Sequence, residues 1–354
     1  MIAGTIGSAP RRHGVDSARF CREILPAVSR TFALSIRVLP GTLGHAVLIA
    51  YLLCRIADTV EDEPTLSAER KAELLTLFLE CLDDPEAAPR FTNECAGVVG
   101  DAAHVRLNQH ADAVFAELHA LPVSSRGHVR RWVGEMVAGM RTFVLRYPAG
   151  IRIQSVDEYR EYCYYVAGTV GYMLTDLWHE HSPVIGSLRY RQLRQRCLAF
   201  AEALQTVNIL RDIARDALQE NSIFIPEQLL REHGSSHASL LADDRVRQTR
   251  DALVALGRVA ARDLEHAQAY LLTLPRRAVA IRLSCAFPLL FACATLRDLR
   301  RAWGSPTIAR AVVKISRREV KALTLLSVLG IASNRMLAWL AHRAGSRPLV
   351  FGGR

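Results

Sequence analysis

The chain has 354 residues, half of them hydrophobic and 23% charged, with a net charge of +10. That length and apolar share support a large buried core and exclude extended disorder. Eight cysteines are scattered from Cys21 to Cys293 with neither a CxxC pair nor a zinc-like Cys/His spacing, which excludes a disulfide scaffold and a structural zinc site and points to a reduced, cytoplasmic setting.

The opening stretch, "MIAGTIGSAPRRHG", carries no apolar core of a secretory signal. We expect residues 1–14 to be flexible, residues 15–340 to form one all-α domain and residues 341–354 to be a basic tail. Apolar residues recur at three- and four-residue steps in "ADAVFAELHAL", "RWVGEMVAGMRTFVL", "LRQRCLAFAEALQTVNILRDIARDAL", "DALVALGRVAARDLEHAQAYLLTL" and "AVAIRLSCAFPLLFACATLRDLRRAW", a helical period. Alternating strand patterns are nearly absent. Breaks fall at Pro40-Gly41, Pro85 to Pro89, Pro122, Pro148 to Gly150, Pro183 to Gly186, Pro226, Gly234, Pro275 and Pro306, leaving room for about ten helices or more. The fold class is all-α.

The stretch "YLLCRIADTVEDEP", from Tyr51 to Pro64, begins as a greasy helix and ends in acids. Tyr51, Arg55, Asp58 and Asp62 are spaced by four, three and four residues, so they share one helix face, with Glu61 beside them. Three carboxylates on one spot repel each other unless a cation lies between them. Such hard oxygens suit Mg²⁺, which binds through a few carboxylates plus substrate phosphates. The alternative is a solvated acidic helix end.

In "LQTVNILRDIARD", Asn208, Asp212 and Asp216 recur every four residues, with Gln205 on the same side. Apolar flanks turn that face inward, where unpartnered carboxylates are costly. Two helices with inward acid stripes, each with an arginine (Arg55, Arg211), read as opposed walls of one cavity. Metal ions would bridge those walls to a phosphate-bearing ligand. Interhelical ion pairing is the competing reading.

In "YREYCYYVAGTVGYML", Gly168 and Gly171 let another element or a ligand approach the backbone closely. Tyr162, Val166, Thr169 and Val170 share one face. The Tyr162 hydroxyl either handles a proton over an apolar floor or is simply a core tyrosine.

Charge is uneven. Ten Lys/Arg and one acid, Glu319, fall between Arg301 and Arg354, so +9 of the +10 lies in the last 54 residues. That suits an anionic partner such as a membrane surface; a solvated basic face is the alternative. The uncharged run between Lys321 and Arg335, "ALTLLSVLGIASN", is shorter than the ~20 residues a bilayer span needs, so it reads as a core or surface-lying helix. A nucleic-acid binder would explain the charge but not the acid stripes, so no nucleic-acid partner is expected.

Taken in order, "SRTF" (29–32), "YLLCRIADTVED" (51–62), "YCYYVAGTVG" (162–171), "LQTVNILRDIARD" (204–216) and, more weakly, "VVKISRREVKAL" (312–323) resemble the squalene/phytoene synthase family of head-to-head prenyltransferases. The resemblance implies an isoprenoid-synthase helical fold around a deep central cavity. It implies Mg²⁺ held by Asp58, Glu61 and Asp62 on one wall and by Asp212 and Asp216 on the other. Arg30, Tyr51, Arg55, Gln205, Asn208, Arg211 and Lys314 match positions that contact diphosphate or a nicotinamide cofactor, NADPH. Phe32, Val170 and Leu174 match cavity-lining positions, and Tyr162 matches a proton-handling tyrosine.

The implied reaction joins two farnesyl diphosphates to squalene through presqualene diphosphate. The alternatives are phytoene formation from geranylgeranyl diphosphate, dehydrosqualene formation without NADPH, and a non-catalytic assembly factor. A head-to-tail elongase or terpene cyclase would carry a DDxxD-type first cluster. The chain departs from the family in two places. Asn221 and Ser222 stand where a Gly-Arg pair is usual, and Ser316 stands where a second basic residue can occur.

Overall fold

The computed structural model describes residues 16–303 and 313–349; the side chain of Arg30 falls outside them, as do the expected flexible segment 1–14, Pro306 and Val312. Seventeen α-helices occur among the described residues, with no β-strand and one isolated bridge between Arg152 and Ile223. The first half holds α1 (Ser17–Val28), α2 (Arg30–Arg37), α3 (Gly41–Glu61), α4 (Ala68–Asp83), α5 (Ala88–Glu94), α6 (Ala102–Asn108), α7 (Ala111–Ala120) and α8 (Val123–Arg146). The second holds α9 (Val156–Cys163), α10 (Thr169–His181), α11 (Ser187–Arg194), α12 (Cys197–Gln219), α13 (Glu227–Glu232), α14 (Val246–Thr273), α15 (Val279–Ala302), α16 (Arg317–Gly330) and α17 (Asn334–Ser346).

Serines start many of these helices. Ser29, Ser67, Ser155, Ser316 and Ser333 each accept a hydrogen bond from a backbone N–H in the first turn of α2, α4, α9, α16 and α17, satisfying a donor that the helix itself leaves unpaired. Ser316, the position at which the resemblance allowed a second basic residue, is therefore a helix cap. The run from Leu193 to Leu218, which the periodicity reads as one helix, is broken at Gln195 and Arg196, so α11 and α12 are separate. Helix α17 continues through Ser346, so the segment expected as a tail from residue 341 begins inside a helix.

Two helices, α3 and α15, are long and apolar enough to cross a membrane, yet 72% and 89% of their apolar windows are buried among other helices. They are the core of the bundle. Helix α3 packs on α7 and α8, α12 packs on α14 and α15, and both α3 and α12 pack on α10. Buried residues from Phe20 in α1 to Ala344 in α17 form one apolar cluster. Within it Phe78, Phe91 and Phe115 meet edge-on at centroid distances of 5.0 to 5.8 Å, the favoured arrangement for aromatic rings.

Two buried arginines fasten the last helices. Arg297 on α15 donates to Glu319 on α16 and to the Ala344 carbonyl on α17, and both charged partners are 3% exposed or less. Arg282 donates to the carbonyls of Leu274 and Ile331 and to Asn334 Oδ1, supplying hydrogen-bond donors to helix-end carbonyls.

Candidate active site

The last two turns of α3 carry the first acid set. Burial works against the Arg55 charge, but Asp58, Tyr51 and Asp62 outweigh it and hold the guanidinium above its usual pKa. Arg55 Nη1 lies 3.4 Å from Asp58, and its guanidinium carbon sits 6.0 Å from the Tyr51 ring centroid. Tyr51 donates to the Val28 carbonyl at 3.3 Å and meets the Phe32 ring at 5.8 Å. The expected members Phe32, Tyr51, Arg55 and Asp58 thus form one continuous run of contacts. Glu63, just past the end of α3, accepts from Thr65 and Leu66 and so fixes the turn after the acids.

Helix α12 carries the second set. Arg211 donates to Asp212 through Nε at 3.0 Å. Arg215 lies 3.3 Å from Asp216, 3.8 Å from Asp212 and 3.3 Å from Glu220. Glu220 is a member that the sequence reading missed, although the signal was there: 208, 212, 216 and 220 continue the same four-residue step.

The two sets sense each other. Burial first, then Glu220 and Asp58, push the Asp62 carboxyl up to about 8, against the pull of Arg55 and Arg215. Burial pushes Asp216 up to about 7, with Asp212 and Asp62 adding to it and Arg215 opposing. Glu220 rises to about 7 through burial and Asp216. Asp58 is raised by burial, and Glu61 is raised well above its usual range by burial, Asp62 and Asp58. Carboxylates on separate helices therefore crowd one region, which costs free energy in the absence of a counter-charge.

Tyr162, at the end of α9, is 4% exposed and stacks on Phe224 at 4.8 Å, with Phe143 edge-on at 5.2 Å. Burial and then Glu61, Asp62 and Asp58 hold its phenol well above the usual pKa, which places it within the field of the α3 acids. Its hydroxyl makes no hydrogen bond with a described residue, unlike Tyr159 next to it, which donates to Thr206 at 2.8 Å. Residues 164–168 then form a π-helical turn, a geometry common at functional sites.

Of the two glycines beyond Tyr162, Gly171 serves packing. A Cβ at Gly171 would lie 2.6 Å from the Cys197 carbonyl, so α10 can press against α12 there only without a side chain; one at Gly168, at the end of the π-helical turn, would lie 2.7 Å from the tip of the Leu198 side chain. Val170 and Leu174 are partly buried against the core. Gln205 and Asn208 are also partly exposed, on the acid-bearing helix α12. Lys314 is exposed in the extended segment before α16, and no hydrogen bond or ion pair with a described residue joins it to either acid set.

Asn221, one of the two departures from the expected motif, adopts a backbone conformation that glycine also favours. Its φ of +49° is the left-handed conformation that asparagine tolerates best among residues with a side chain. Its carbonyl and side-chain oxygen accept from Arg152 at 2.6 and 2.7 Å, so a guanidinium from a different loop stands beside the end of α12.

The residues present fit a hard divalent cation. Glu61 Oε1 is buried with no hydrogen-bond partner, and every carboxylate in the crowded region is an oxygen donor. Among the described residues no three His, Cys, Asp or Glu side chains converge tightly enough to enclose an ion by themselves. An ion at these walls would take water or phosphate oxygens as further ligands, the usual habit of Mg²⁺.

The family model described as squalene/phytoene synthase matches residues 25–319. Squalene synthase of Schizosaccharomyces pombe is 30% identical over 316 residues, covering 88% of this chain and 65% of that protein. Squalene synthase of Bos taurus is 30% identical over 88% of this chain and 69% of that protein. The chain thus spans about two thirds of the length of the curated relatives it matches. Among solved structures, TcSQS in complex with the ligand BPH1237 superposes with a TM-score of 0.79 at 26% identity, covering 93% of this chain and 92% of that one. A dehydrosqualene synthase shares the fold, with a TM-score of 0.63 at 20% identity over 92% of this chain and 97% of that one.

Proposed function

The chain belongs to the squalene/phytoene synthase family, and from that premise we propose that it joins two prenyl diphosphates head to head, farnesyl diphosphate to squalene by way of presqualene diphosphate. What supports this reading is that Asp62, which caps the end of α3, Asp216 in the last turns of α12 and Glu220, which caps the end of α12, raise one another's pKa beside a buried tyrosine. Structural acids rarely gather in this way without a cation to neutralise them.

Asp58, Glu61 and Asp62 would hold Mg²⁺ from one side, and Asp212 and Asp216 from the other. When bound, the metal supplies positive charge that stabilises the departing diphosphate. Arg55, Arg211 and Arg215 add fixed guanidinium charge at the same place, already oriented by their carboxylate partners. Apolar side chains such as Phe32, Val170 and Leu174 exclude water, which would otherwise trap an allylic cation.

Tyr162 acts as a relay rather than as a phenolate. Burial and the neighbouring acids keep the phenol protonated, so its oxygen accepts the proton released on cyclopropane closure while its own O–H passes to an oxygen of the departed diphosphate. NADPH, when bound, supplies the hydride that distinguishes squalene from dehydrosqualene.

A membrane surface is the proposed partner, since a hydrocarbon product must pass into lipid and the C-terminal charge is positive. Incubation with C15 and C20 diphosphates, with and without NADPH, tests the reaction. Squalene from the C15 substrate with NADPH is expected. Phytoene from the C20 substrate alone would overturn the substrate assignment, and no hydrocarbon from either would overturn the activity.

A further inference from the structure

We infer that the α16–α17 hairpin is a docking face that lies on an anionic lipid surface. This deepens the membrane reading above and is independent of the reaction assigned to the site. Leu325, Val328 and Leu329 fall at i, i+3 and i+4 on α16 and are 53%, 48% and 73% exposed; Trp339 on α17 is 48% exposed. Both helices pack on α15 and on each other, so these side chains point away from the bundle. Four of the twelve exposed large apolar side chains among the described residues sit on these two consecutive helices. Single exposed apolar residues need no explanation, but a stripe of them does.

The charge around the stripe is of one sign. Arg317, Arg318, Lys321 and Arg335 are exposed, and none forms an ion pair with a described residue. Glu319, the acid of this region, is 2% exposed and is held by Arg297, so it does not offset them. A short apolar stripe on α16 flanked along the chain by exposed cations, with an exposed tryptophan on the adjoining helix, matches the charge and amphipathic character of an anionic bilayer interface. The uncharged run of α16 is too short to span, so the hairpin lies on the surface.

Tryptophan fluorescence gives a direct test with the full chain. Trp132, Trp178 and Trp303 are 3%, 1% and 6% exposed, so Trp339 dominates any environment-sensitive emission. Phosphatidylglycerol-containing vesicles should shift the emission to the blue, and brominated acyl chains should quench it. Pure phosphatidylcholine should do so far more weakly. Trp339→Phe should abolish the shift yet still float with vesicles. Leu325→Ser with Leu329→Ser should lower the vesicle-bound fraction about tenfold or more, with an unchanged circular dichroism spectrum confirming the fold. Flotation without a Trp339 signal would overturn this face while leaving membrane association standing. Absence of flotation would overturn both. A lipid-free blue shift that grows with protein concentration would overturn the proposal in favour of a second copy on the same face.

Discussion

Replacing Asp62 with Asn removes the acid that most directly joins the two walls. In the folded chain this carboxyl titrates at about 8, because burial, Glu220 and Asp58 disfavour its charge. In the unfolded chain an aspartate titrates near about 3.9. The native state therefore holds a proton that the unfolded state has lost between those two values. The stabilisation this gives is present at low pH and disappears as pH rises through the folded value. From pH 6 to pH 8 the native group goes from almost fully to half protonated while the unfolded one stays ionised, a loss of about 2 kcal/mol for this group. Thermal melts in a chelator at the two pH values, wild type beside Asp62→Asn, measure it. Wild type should melt a few degrees lower at pH 8, and the variant should lose the share of that slope that Asp62 carries, while Asp216 and Glu220, both raised to about 7, keep the rest. Mg²⁺ should restore more stability at pH 8 than at pH 6, because binding displaces the proton. Equal slopes in the two proteins would refute the electrostatic crowding of α3 and α12.

Gly171→Ala should destabilise the fold by about 1–3 kcal/mol, since the new methyl meets the Cys197 carbonyl at 2.6 Å. Gly134→Ala on α8 is the control: its nearest contact is Leu82 at 3.5 Å, and it should stabilise by up to about 1 kcal/mol in denaturant titrations. Arg297→Met leaves Glu319 buried without its charge partner and should cost about 3–5 kcal/mol, read by chemical unfolding; a loss below 1 kcal/mol would mean that the pair is not a fastener. Tyr162→Phe should melt within a degree or two of wild type and yet lose product by about 100-fold or more in the prenyl diphosphate assay; turnover near wild type would assign the ring to packing alone.

The helical character and the acid stripes were legible because both rest on spacing. Asp58 and Asp62, or Asp212 and Asp216, share a face by the geometry of any α-helix. Glu220 continues the step of four, but it follows the last residue of α12 and was not counted with it. The break between α11 and α12 was invisible, because Gln195 and Arg196 carry no proline or glycine signal. Gly168 and Gly171 leave two readings open in the sequence, and only the position of α12 decides that Gly171 serves helix packing. Arg152 and Asn221 meet from positions 69 residues apart, which no local pattern announces. The burial of Glu319 and the exposure of Leu325 and Leu329 are likewise tertiary facts: the same periodicity fits either face of α16 turned inward.

The central claim is that carboxylates from α3 and α12 share divalent ions with one diphosphate. Mn²⁺, a spectroscopic substitute for Mg²⁺, can be titrated by electron paramagnetic resonance with and without inorganic pyrophosphate. Tight Mn²⁺ binding should require pyrophosphate in wild type and should be lost to a similar degree in Asp58→Asn and in Asp216→Asn, one from each wall. Binding that survives either substitution at wild-type affinity, or that is indifferent to pyrophosphate, would contradict it.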